Sequence, residues 1–316
     1  MRHVKGLMTC SMLVLVCALA ACHRPDASKR LIAIIVPSED NPFFKAEGDA
    51  AAARAGSLGY RVRVDAHGDD PYQQDNLIDA AIASNAAAII LDNAGADASI
   101  AAVRRATKAG IPCFLIDRAI NTDGIAKAQI IADNHQGAVI VAQEFADALQ
   151  PDGGNYVELL GRESDTNAQI RTAGFHSVLD RYANLVRVSA QSANWSQSEA
   201  YDKTETMLQA HPDIKGILAG NDTMALGALA AVQSSGRKNI VIVGFDGSPD
   251  AIAAVRDGQL RATALQPAVR IARLAVDEAD KFLRTGSTGK PERQIILCDL
   301  VTRSNANDFH NFEKVR

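Results

Sequence analysis

Polar side chains that could bind a hydroxyl-rich ligand follow directly after the apolar runs of this chain. Carboxylates accept hydrogen bonds, guanidinium groups donate them and amides do both, so this mixture suits carbohydrate hydroxyl groups. In parallel α/β sheets, ligands bind beyond the carboxyl ends of the strands, where such residues would meet. In chain order they are Asn93, Asp117, Arg118, Asn167, Arg171, Asn221, Asp246 and Gln266.

The segment Asn41-Pro42-Phe43-Phe44 adds an amide and two aromatic rings at one such turn. It separates the apolar residues 31–36, a predicted strand, from the Ala-rich residues 45–58, a predicted helix. Asn41 can cap this helix, and Pro42 fits its first turn. Aromatic rings can cover the C–H faces of a sugar. The alternative is purely structural: a helix cap with a hydrophobic staple.

Each polar residue also has a structural interpretation when it is taken singly. Asn221 can cap a helix, Asp246-Gly247 is a common turn dipeptide, and Asp117 with Arg118 can form a surface ion pair. The set as a whole indicates a ligand site, because acceptors, donors and aromatic rings recur on successive loops.

Residue patterns for catalysis or cofactor binding are absent from the sequence. It has no G-x-S-x-G elbow, no H-E-x-x-H pair, no P-loop and no glycine-rich dinucleotide fingerprint after the first strand. The histidines lack metal-ligand spacing, so we expect neither a metal nor a cofactor. Asp117 and Asp246 could in principle be the acid and base of a glycosidase. Their arginine and amide neighbours should, however, keep both ionised.

Predicted strands and helices alternate along the chain, which indicates parallel sheets built from right-handed βαβ units. The 316 residues are too many for one typical domain. Pro151-Asp152-Gly153-Gly154 breaks the series near its middle. The predicted fold class is therefore α/β, with two doubly wound parallel-sheet lobes and a central cleft.

The N-terminal residues have the features of an export signal. Arg2 and Lys5 precede an apolar segment, residues 7–19, that is too short to span a bilayer comfortably. Leu19-Ala20-Ala21-Cys22 resembles the lipobox of bacterial lipoproteins. This predicts a signal peptide over residues 1–21, a lipid on Cys22 and a tether over residues 22–29. Ordinary cleavage after Ala20 is the alternative, and either route exports the protein to the periplasm or cell envelope.

Charge and cysteine content argue against a nucleic-acid-binding protein and against a disulfide-linked one. The net charge of −4 and the lack of a long basic run argue against nucleic-acid binding. Cys113 and Cys298 each lie in an apolar run and are predicted to be buried. We expect no disulfide between them, because their strands should belong to different lobes.

Several motifs together resemble the ribose-binding-protein-like sugar receptors of bacterial ABC importers, the type I periplasmic binding proteins. The resemblance runs from about Leu31 to the C-terminal strand. Its most specific motifs are Asn41-Pro42-Phe43-Phe44, Ile116-Asp117-Arg118, Asn221-Asp222-Thr223-Met224-Ala225-Leu226-Gly227 and Val243-Gly244-Phe245-Asp246-Gly247.

The resemblance implies two lobes that close on a sugar and are joined by three crossovers, near Ala132, Gln266 and Arg293. The N-terminal lobe would comprise residues 30–132 and 267–292. The C-terminal lobe would comprise residues 133–266 and 293–316.

The resemblance also implies roles for individual residues. Phe43, Phe44 and Trp195 would pack on the sugar faces, and Asn93 and Asn167 would add polar contacts. Because Ala94-Gly95 stands where the ribose binders have proline, a related pentose, a furanose sugar or a sugar alcohol is as well supported as ribose. Hydrogen bonds to the sugar would come from Asn41, Asp117, Arg118, Arg171, Asn221, Asp246 and Gln266.

The implied function is that of a monomeric binding protein that delivers a monosaccharide to a membrane permease and its ATPase. A sugar receptor for chemotaxis or for a sensor kinase is a variant of this function. The effector module of a lactose-repressor-type regulator would need an N-terminal DNA-binding helix pair, where this chain has an export signal. A secreted sugar hydrolase is the third class considered.

Overall fold

A computed structural model describes residues 30–315 of the chain. The predicted signal peptide, the lipidated Cys22 and the tether lie outside the described residues. In chain order the strands are β1 (Leu31–Val36), β2 (Arg61–Ala66), β3 (Ala88–Leu91), β4 (Cys113–Ile116), β5 (Ala128–Ala132), β6 (Gly154–Leu160), β7 (Leu185–Ser192), β8 (Ile214–Ala219), β9 (Val241–Asp246), β10 (Ala262–Leu265), β11 (Arg293–Ile296), β12 (Asp299–Thr302), β13 (Phe309–His310) and β14 (Glu313–Lys314).

Most of the helices begin at a side-chain cap, which satisfies a backbone N–H of the first turn. Asn41 Oδ1 accepts a hydrogen bond from the Phe43 N–H, and Pro42 occupies the first turn, as predicted. Asp165 and Asn221 cap two further helices in the same way. The helices are α1 (Pro42–Ser57), α2 (Pro71–Ala83), α3 (Ile100–Lys108), α4 (Asn134–Leu149), α5 (Thr166–Leu179), α6 (Gln197–Ala210), α7 (Asp222–Ser234), α8 (Pro249–Arg256) and α9 (Ala268–Thr285).

The strands form two six-stranded sheets with the same layout. The first has the order β2-β1-β3-β4-β5-β11, and its neighbouring strands are parallel. The second has the order β7-β6-β8-β9-β10-β12, in which β12 runs antiparallel to β10. We call the first sheet with α1, α2, α3 and α9 the first lobe, and the second sheet with α4 to α8 the second lobe. The predicted α/β class with two doubly wound lobes is confirmed.

The chain crosses between the lobes three times. It leaves the first sheet after β5, returns to it after β10, and crosses again between β11 and β12. The last crossing corrects the predicted boundary at residue 293, because β11 pairs with β5 in the first sheet. Residues 294–300 contain no glycine or proline, so the sequence alone predicts one strand here. In the structure this run divides at Leu297-Cys298, and its two parts join different sheets.

The interiors of both lobes are apolar, as expected for sheets covered by helices on both faces. Strands β3 and β4 are buried along their whole length. Cys113 and Cys298 are both buried, as predicted, and their thiols are free. Among residues 30–315, no helix combines the length and the hydropathy that crossing a membrane requires.

Close packing of α4 on the second sheet makes Gly137 sensitive to substitution. A Cβ atom at this position would lie 2.6 Å from Phe245 Cζ and 2.9 Å from Cys298 Sγ. We expect Gly137→Ala to lower the free energy of unfolding by about 1–3 kcal/mol, because overpacking strains a dense core. Urea unfolding monitored by circular dichroism measures the change.

Gly56→Ala is the matched control, since a Cβ on Gly56 in α1 would have no neighbouring atom within 4 Å. This variant should be more stable than the wild type by roughly 0.5–1 kcal/mol, because alanine loses less conformational freedom in a helix than glycine does. Equal stability of Gly137→Ala and the wild type would contradict the close approach of α4 to β9.

Candidate functional site

A small cavity lies between the two lobes, at the carboxyl ends of both sheets. Ten of the predicted ligand-binding residues line it, together with Asp165, which was not predicted. The free space is about 10 Å³, which is roughly the space that one water molecule needs. A sugar can therefore reach these residues only when the lobes separate. The wall consists of Asn41, Phe43, Phe44, Asp117, Asp165, Asn167, Arg171, Trp195, Asn221, Asp246 and Gln266.

The first-lobe wall is held in place by packing and by an unusual backbone conformation. The ring of Phe43 meets those of Phe44 and Phe312 edge-on, with centroids 5.6 Å apart in each pair. Asp117 directly follows β4 and has a φ of 55°, in the left-handed region. Its Oδ1 accepts a hydrogen bond of 3.2 Å from Asn167 Nδ2, which belongs to the second lobe. The phenylalanines thus serve the core and the cavity together.

The second-lobe wall is organised by Arg171. Its Nη1 donates to the Gly220 carbonyl at 2.8 Å and to Asp246 Oδ1 at 3.3 Å. Gln266 Nε2 donates to the same carboxylate oxygen at 2.8 Å. Gln266 Oε1 is buried and has no hydrogen-bond partner within the described chain. This oxygen is an acceptor that a ligand hydroxyl could satisfy.

Trp195 is fixed on the second-lobe side of the cavity by its loop and by a glycine. Asn194 and Trp195 both have positive φ values, 51° and 64°. Such conformations cost of the order of 1–3 kcal/mol each and concentrate at ligand sites. The indole Nε1 donates to Asp165 Oδ2 at 3.1 Å. A Cβ on Gly161 would overlap the indole ring, so only glycine admits the ring in this position.

Asn93 and Arg118 are not on the cavity wall, although both were predicted to bind ligand. Asn93 Nδ2 donates to the Arg118 carbonyl at 2.6 Å, and Asn93 Oδ1 accepts from the Gly95 N–H at 3.1 Å. Both polar groups of Asn93 therefore hold the loop. Arg118 Nη1 donates to Asp69 Oδ1 at 2.6 Å, and Nε lies 2.9 Å from Asp165 Oδ2, but neither Nε nor Nη2 makes a hydrogen bond within the described chain.

Sequence reasoning missed two residues that organise the site. Asp165 caps α5 and accepts a hydrogen bond from Trp195 Nε1, and it lies in residues 162–167, all of which are polar. Asn134 directly follows the crossover after β5. Its Oδ1 accepts from Arg171 Nε at 2.7 Å, and its Nδ2 donates to Asn167 Oδ1 at 3.1 Å. Asn134 could have been identified from the sequence by its position just after a predicted strand.

Burial dominates the electrostatics of the closed cavity. It raises the pKa of Asp117 to about 7, with a further contribution from Asp165. Burial likewise raises the pKa of Asp246 to about 7, against the opposing effect of Arg171. Behind the wall, burial and the neighbouring Asp92 and Asp117 raise the pKa of Glu47 well above its usual value. These shifts run against the expectation that arginine and amide neighbours keep both carboxyls ionised, because burial outweighs the lowering effect of those neighbours.

An open groove of about 870 Å³ lies on the solvent side of the cavity. Asn41, Phe44 and Trp195 line both the groove and the cavity, so they separate the two spaces. Among residues 30–315, no cluster of histidine, cysteine, aspartate and glutamate could hold a metal ion. The site therefore offers hydrogen-bonding groups and aromatic faces as its binding chemistry.

Comparison with known proteins places the chain among ligand receptors. The family model described as periplasmic binding protein domain matches residues 32–288. A D-apiose import binding protein of Paraburkholderia graminis is 57% identical over 282 residues, which are 89% of this chain and 90% of that protein. A D-apiose import binding protein of Actinobacillus succinogenes is 52% identical over 298 residues, with coverages of 93% and 95%.

A solved structure shows the same architecture. It is an ABC transporter periplasmic solute binding protein from Actinobacillus succinogenes with bound D-allose. The TM-score is 0.82 at 28% identity, over 89% of this chain and 100% of the other.

Fold and site together define a two-lobed receptor that encloses a small polar ligand between its lobes. The chain belongs to the periplasmic binding protein family, which confirms the resemblance drawn from its motifs. It is a substrate-binding protein of the kind that serves sugar ABC transporters.

The raised pKa values of Asp117 and Asp246 predict a pH-dependent stability of the closed arrangement without sugar. Between pH 4 and about 7 the folded chain holds protons that the unfolded chain has released. The free energy of unfolding should therefore fall as pH rises through this range. Urea unfolding at a series of pH values measures the slope.

Asp117→Asn is the comparison for this prediction, because it removes one of the carboxyl groups whose pKa burial raises. Its slope should be smaller than that of the wild type. Saturation with the bound sugar should reduce the wild-type slope too, because hydroxyl donors favour the ionised carboxylates. Identical slopes for wild type and variant would contradict the raised pKa of Asp117.

Proposed function

We propose that this receptor captures D-apiose in its closed cavity and delivers it to an ABC permease and the associated ATPase. The observation that carries the proposal is a cavity whose two walls place acceptors, donors and aromatic faces around one small volume. The two relatives named for D-apiose import, at 57% and 52% identity, support this sugar in particular. D-Apiose is a branched pentose, in keeping with the pentose or furanose sugar expected from the motifs.

Several polar wall residues have a group available for a sugar hydroxyl. Asn221 Oδ1 accepts from the Met224 N–H at 2.9 Å, which leaves its Nδ2 as a donor to the ligand. Asp117 and Asp246 supply acceptors, and Arg171 supplies charge-assisted donors. Phe44 and Trp195 face the same volume from opposite lobes and can cover the apolar faces of the ring.

Delivery requires two conformations of the receptor. Contacts made by both lobes stabilise the closed form only, so the sugar shifts the population toward it. The permease then has a closed, loaded form to recognise.

A role in chemotaxis or in signalling to a sensor kinase would use the same site. We further propose that the receptor acts as a monomer and carries out no turnover.

Titration with D-apiose tests the ligand. Trp195 is the only tryptophan in the chain, so its emission should change saturably as the indole loses water on closure. Thermal shift across D-apiose, D-ribose, L-arabinose, D-allose and myo-inositol should show the largest shift for D-apiose. The sugar should be recovered unaltered after incubation. Absence of D-apiose binding by calorimetry would overturn the assignment, and a chemically altered product would favour the hydrolase.

Asp246→Asn is the variant that links this binding to the cavity. It keeps the size of the side chain but removes the charge that Arg171 and Gln266 contact. Loss of a charged hydrogen-bond partner costs roughly 1.5–3 kcal/mol, so affinity should fall about tenfold to a hundredfold. A folded variant with unchanged affinity would remove Asp246 from the binding site.

Lipid anchoring at Cys22 is proposed from the sequence motif alone, since Cys22 lies outside the described residues. The expressed full-length protein should fractionate with membranes and require detergent for release, because a terminus with two or more acyl chains anchors stably. Cys22→Ala should abolish the lipid mass on the mature N-terminus and release or misprocess the protein. Identical soluble behaviour of both proteins would rule out the anchor in favour of ordinary cleavage.

A further inference from the structure

Glu47 lies on the buried face of α1, where the other buried residues are phenylalanine, alanine and glycine. It follows Phe43 and Phe44 by one helical turn, so it shares a helix face with the aromatic part of the cavity wall. Glu47 is fully buried, and neither of its carboxyl oxygens has a hydrogen-bond partner within the described chain. Such a group requires an explanation, because a buried carboxylate without a partner is costly.

Asp92 explains the burial of this carboxyl. It directly follows β3, is also fully buried, and lies within hydrogen-bonding reach of Glu47. Both Asp92 oxygens likewise lack a partner among the described residues. Two ionised carboxylates are acceptors only, so they cannot satisfy each other. One proton held by the pair removes this conflict, because the protonated carboxyl then donates to the ionised one.

The surroundings decide which carboxyl carries the proton. Burial and the charges of Asp92 and Asp117 raise the pKa of Glu47 well above its usual value, and Arg118 has a smaller opposing effect. Burial raises the pKa of Asp92 too, but there the opposing effect of Arg118 comes second only to burial. Asp92 Oδ1 lies 3.5 Å from Arg118 Nε. The negative charge is therefore better placed on Asp92, and the proton on Glu47.

We propose that protonated Glu47 donates a hydrogen bond to ionised Asp92, and that Glu47 thereby acts as a positioning residue for Arg118. Arg118 Nη1 donates to Asp69 Oδ1 at 2.6 Å and to the Asn93 carbonyl at 3.1 Å. Its Nε and Nη2 are buried without a hydrogen-bond partner in the described part of the chain. These two nitrogens are donors for a ligand hydroxyl, provided that Asp92 does not take them. The hydrogen bond from Glu47 gives Asp92 another donor.

The charged groups that face the pair require Glu47 to be neutral. Four carboxyl groups already lie within 4 Å of the Arg118 guanidinium, those of Asp69, Asp92, Asp117 and Asp165. His67 Nε2 contacts the Asp92 carbonyl at 2.8 Å, but burial lowers the pKa of His67, so it adds no positive charge near neutral pH. A fifth carboxylate would be repelled by like charges, with one arginine to offset them.

Unfolding of the sugar-free protein in urea tests the proton. The unfolded chain releases it above about pH 5, whereas the folded pair holds it, so stability should fall as pH rises. Between about pH 6 and pH 8 the folding equilibrium constant of wild type should fall roughly tenfold more per pH unit than that of Glu47→Gln. Asp117 and Asp246 are present in both proteins, so the difference isolates the pair. Equal slopes would show that the pair holds no proton and would overturn the proposal.

Sugar affinity, measured by calorimetry with D-apiose, tests the positioning role. Glu47→Met keeps a similar shape but removes the donor, so Asp92 should draw Arg118 Nε toward itself. The affinity should fall by roughly tenfold or more. Glu47→Gln should stay within about twofold of wild type, because its amide donates to Asp92 in place of the carboxyl. Glu47→Leu serves if Glu47→Met fails to fold. A less stable variant without the donor that binds as wild type does would contradict the positioning role.

Asp49→Asn is the matched control, since Asp49 is an exposed carboxylate of the same helix that pairs with Lys45 at 2.8 Å. It should leave both the pH slope and the affinity unchanged. The inference rests on the proposed function only for the choice of sugar, and the unfolding experiment uses none. If wild type does not bind D-apiose, the ligand assignment alone fails, and the affinities are measured with the panel sugar that gives the largest thermal shift.

Discussion

Several carboxylates are buried between the lobes of this receptor, and two buried arginines offset part of the free-energy cost of removing those carboxylates from water. Burial of an unpaired carboxylate is costly, and the cost is offset only by a partner in good geometry. Arg171 supplies that partner for Asp246 in the second lobe, and Arg118 supplies it for Asp69. Arg118 Nε also lies 2.9 Å from Asp165 Oδ2, without forming a hydrogen bond. The arginines balance the carboxylates only in part, which is why burial still raises the pKa of Asp117 and Asp246 to about 7.

The structural and functional interpretations of the cap residues are compatible. Asn41 and Asn221 each use the side-chain oxygen to cap a helix, and each also lines the cavity. An amide has a second polar group, so one side chain can order a helix and still offer a donor to a ligand. Capping fixes the rotamer, and a fixed rotamer presents that donor at a defined place. Asp165 also has two roles, because one of its oxygens caps α5 while the other faces Arg118 and Trp195.

Backbone strain at the cavity has a similar explanation. Asp117, Asp246 and Trp195 all have positive φ values, and each lies at the end of a strand or within three residues beyond it. The sheets and their helices bury large apolar surfaces, and that stabilisation can hold a few residues in unfavourable conformations. Strain is therefore found where the side chain must point into the cleft rather than follow the direction of its strand.

The sequence by itself determined the alternation of strands and helices, the two lobes and most of the cavity wall. These features follow from local periodicity and from the rule that parallel strands end at one edge, so residues after strands converge. It did not determine the crossing at Leu297-Cys298, because an unbroken apolar run carries no signal of which sheet each half joins. Nor could it separate Asp117, on the wall, from the adjacent Arg118, behind it. Only tertiary structure decides such matters, since the depth of a side chain and its ionisation depend on partners such as Asp69 and Asp165, which are distant from Arg118 in sequence and close to it in space.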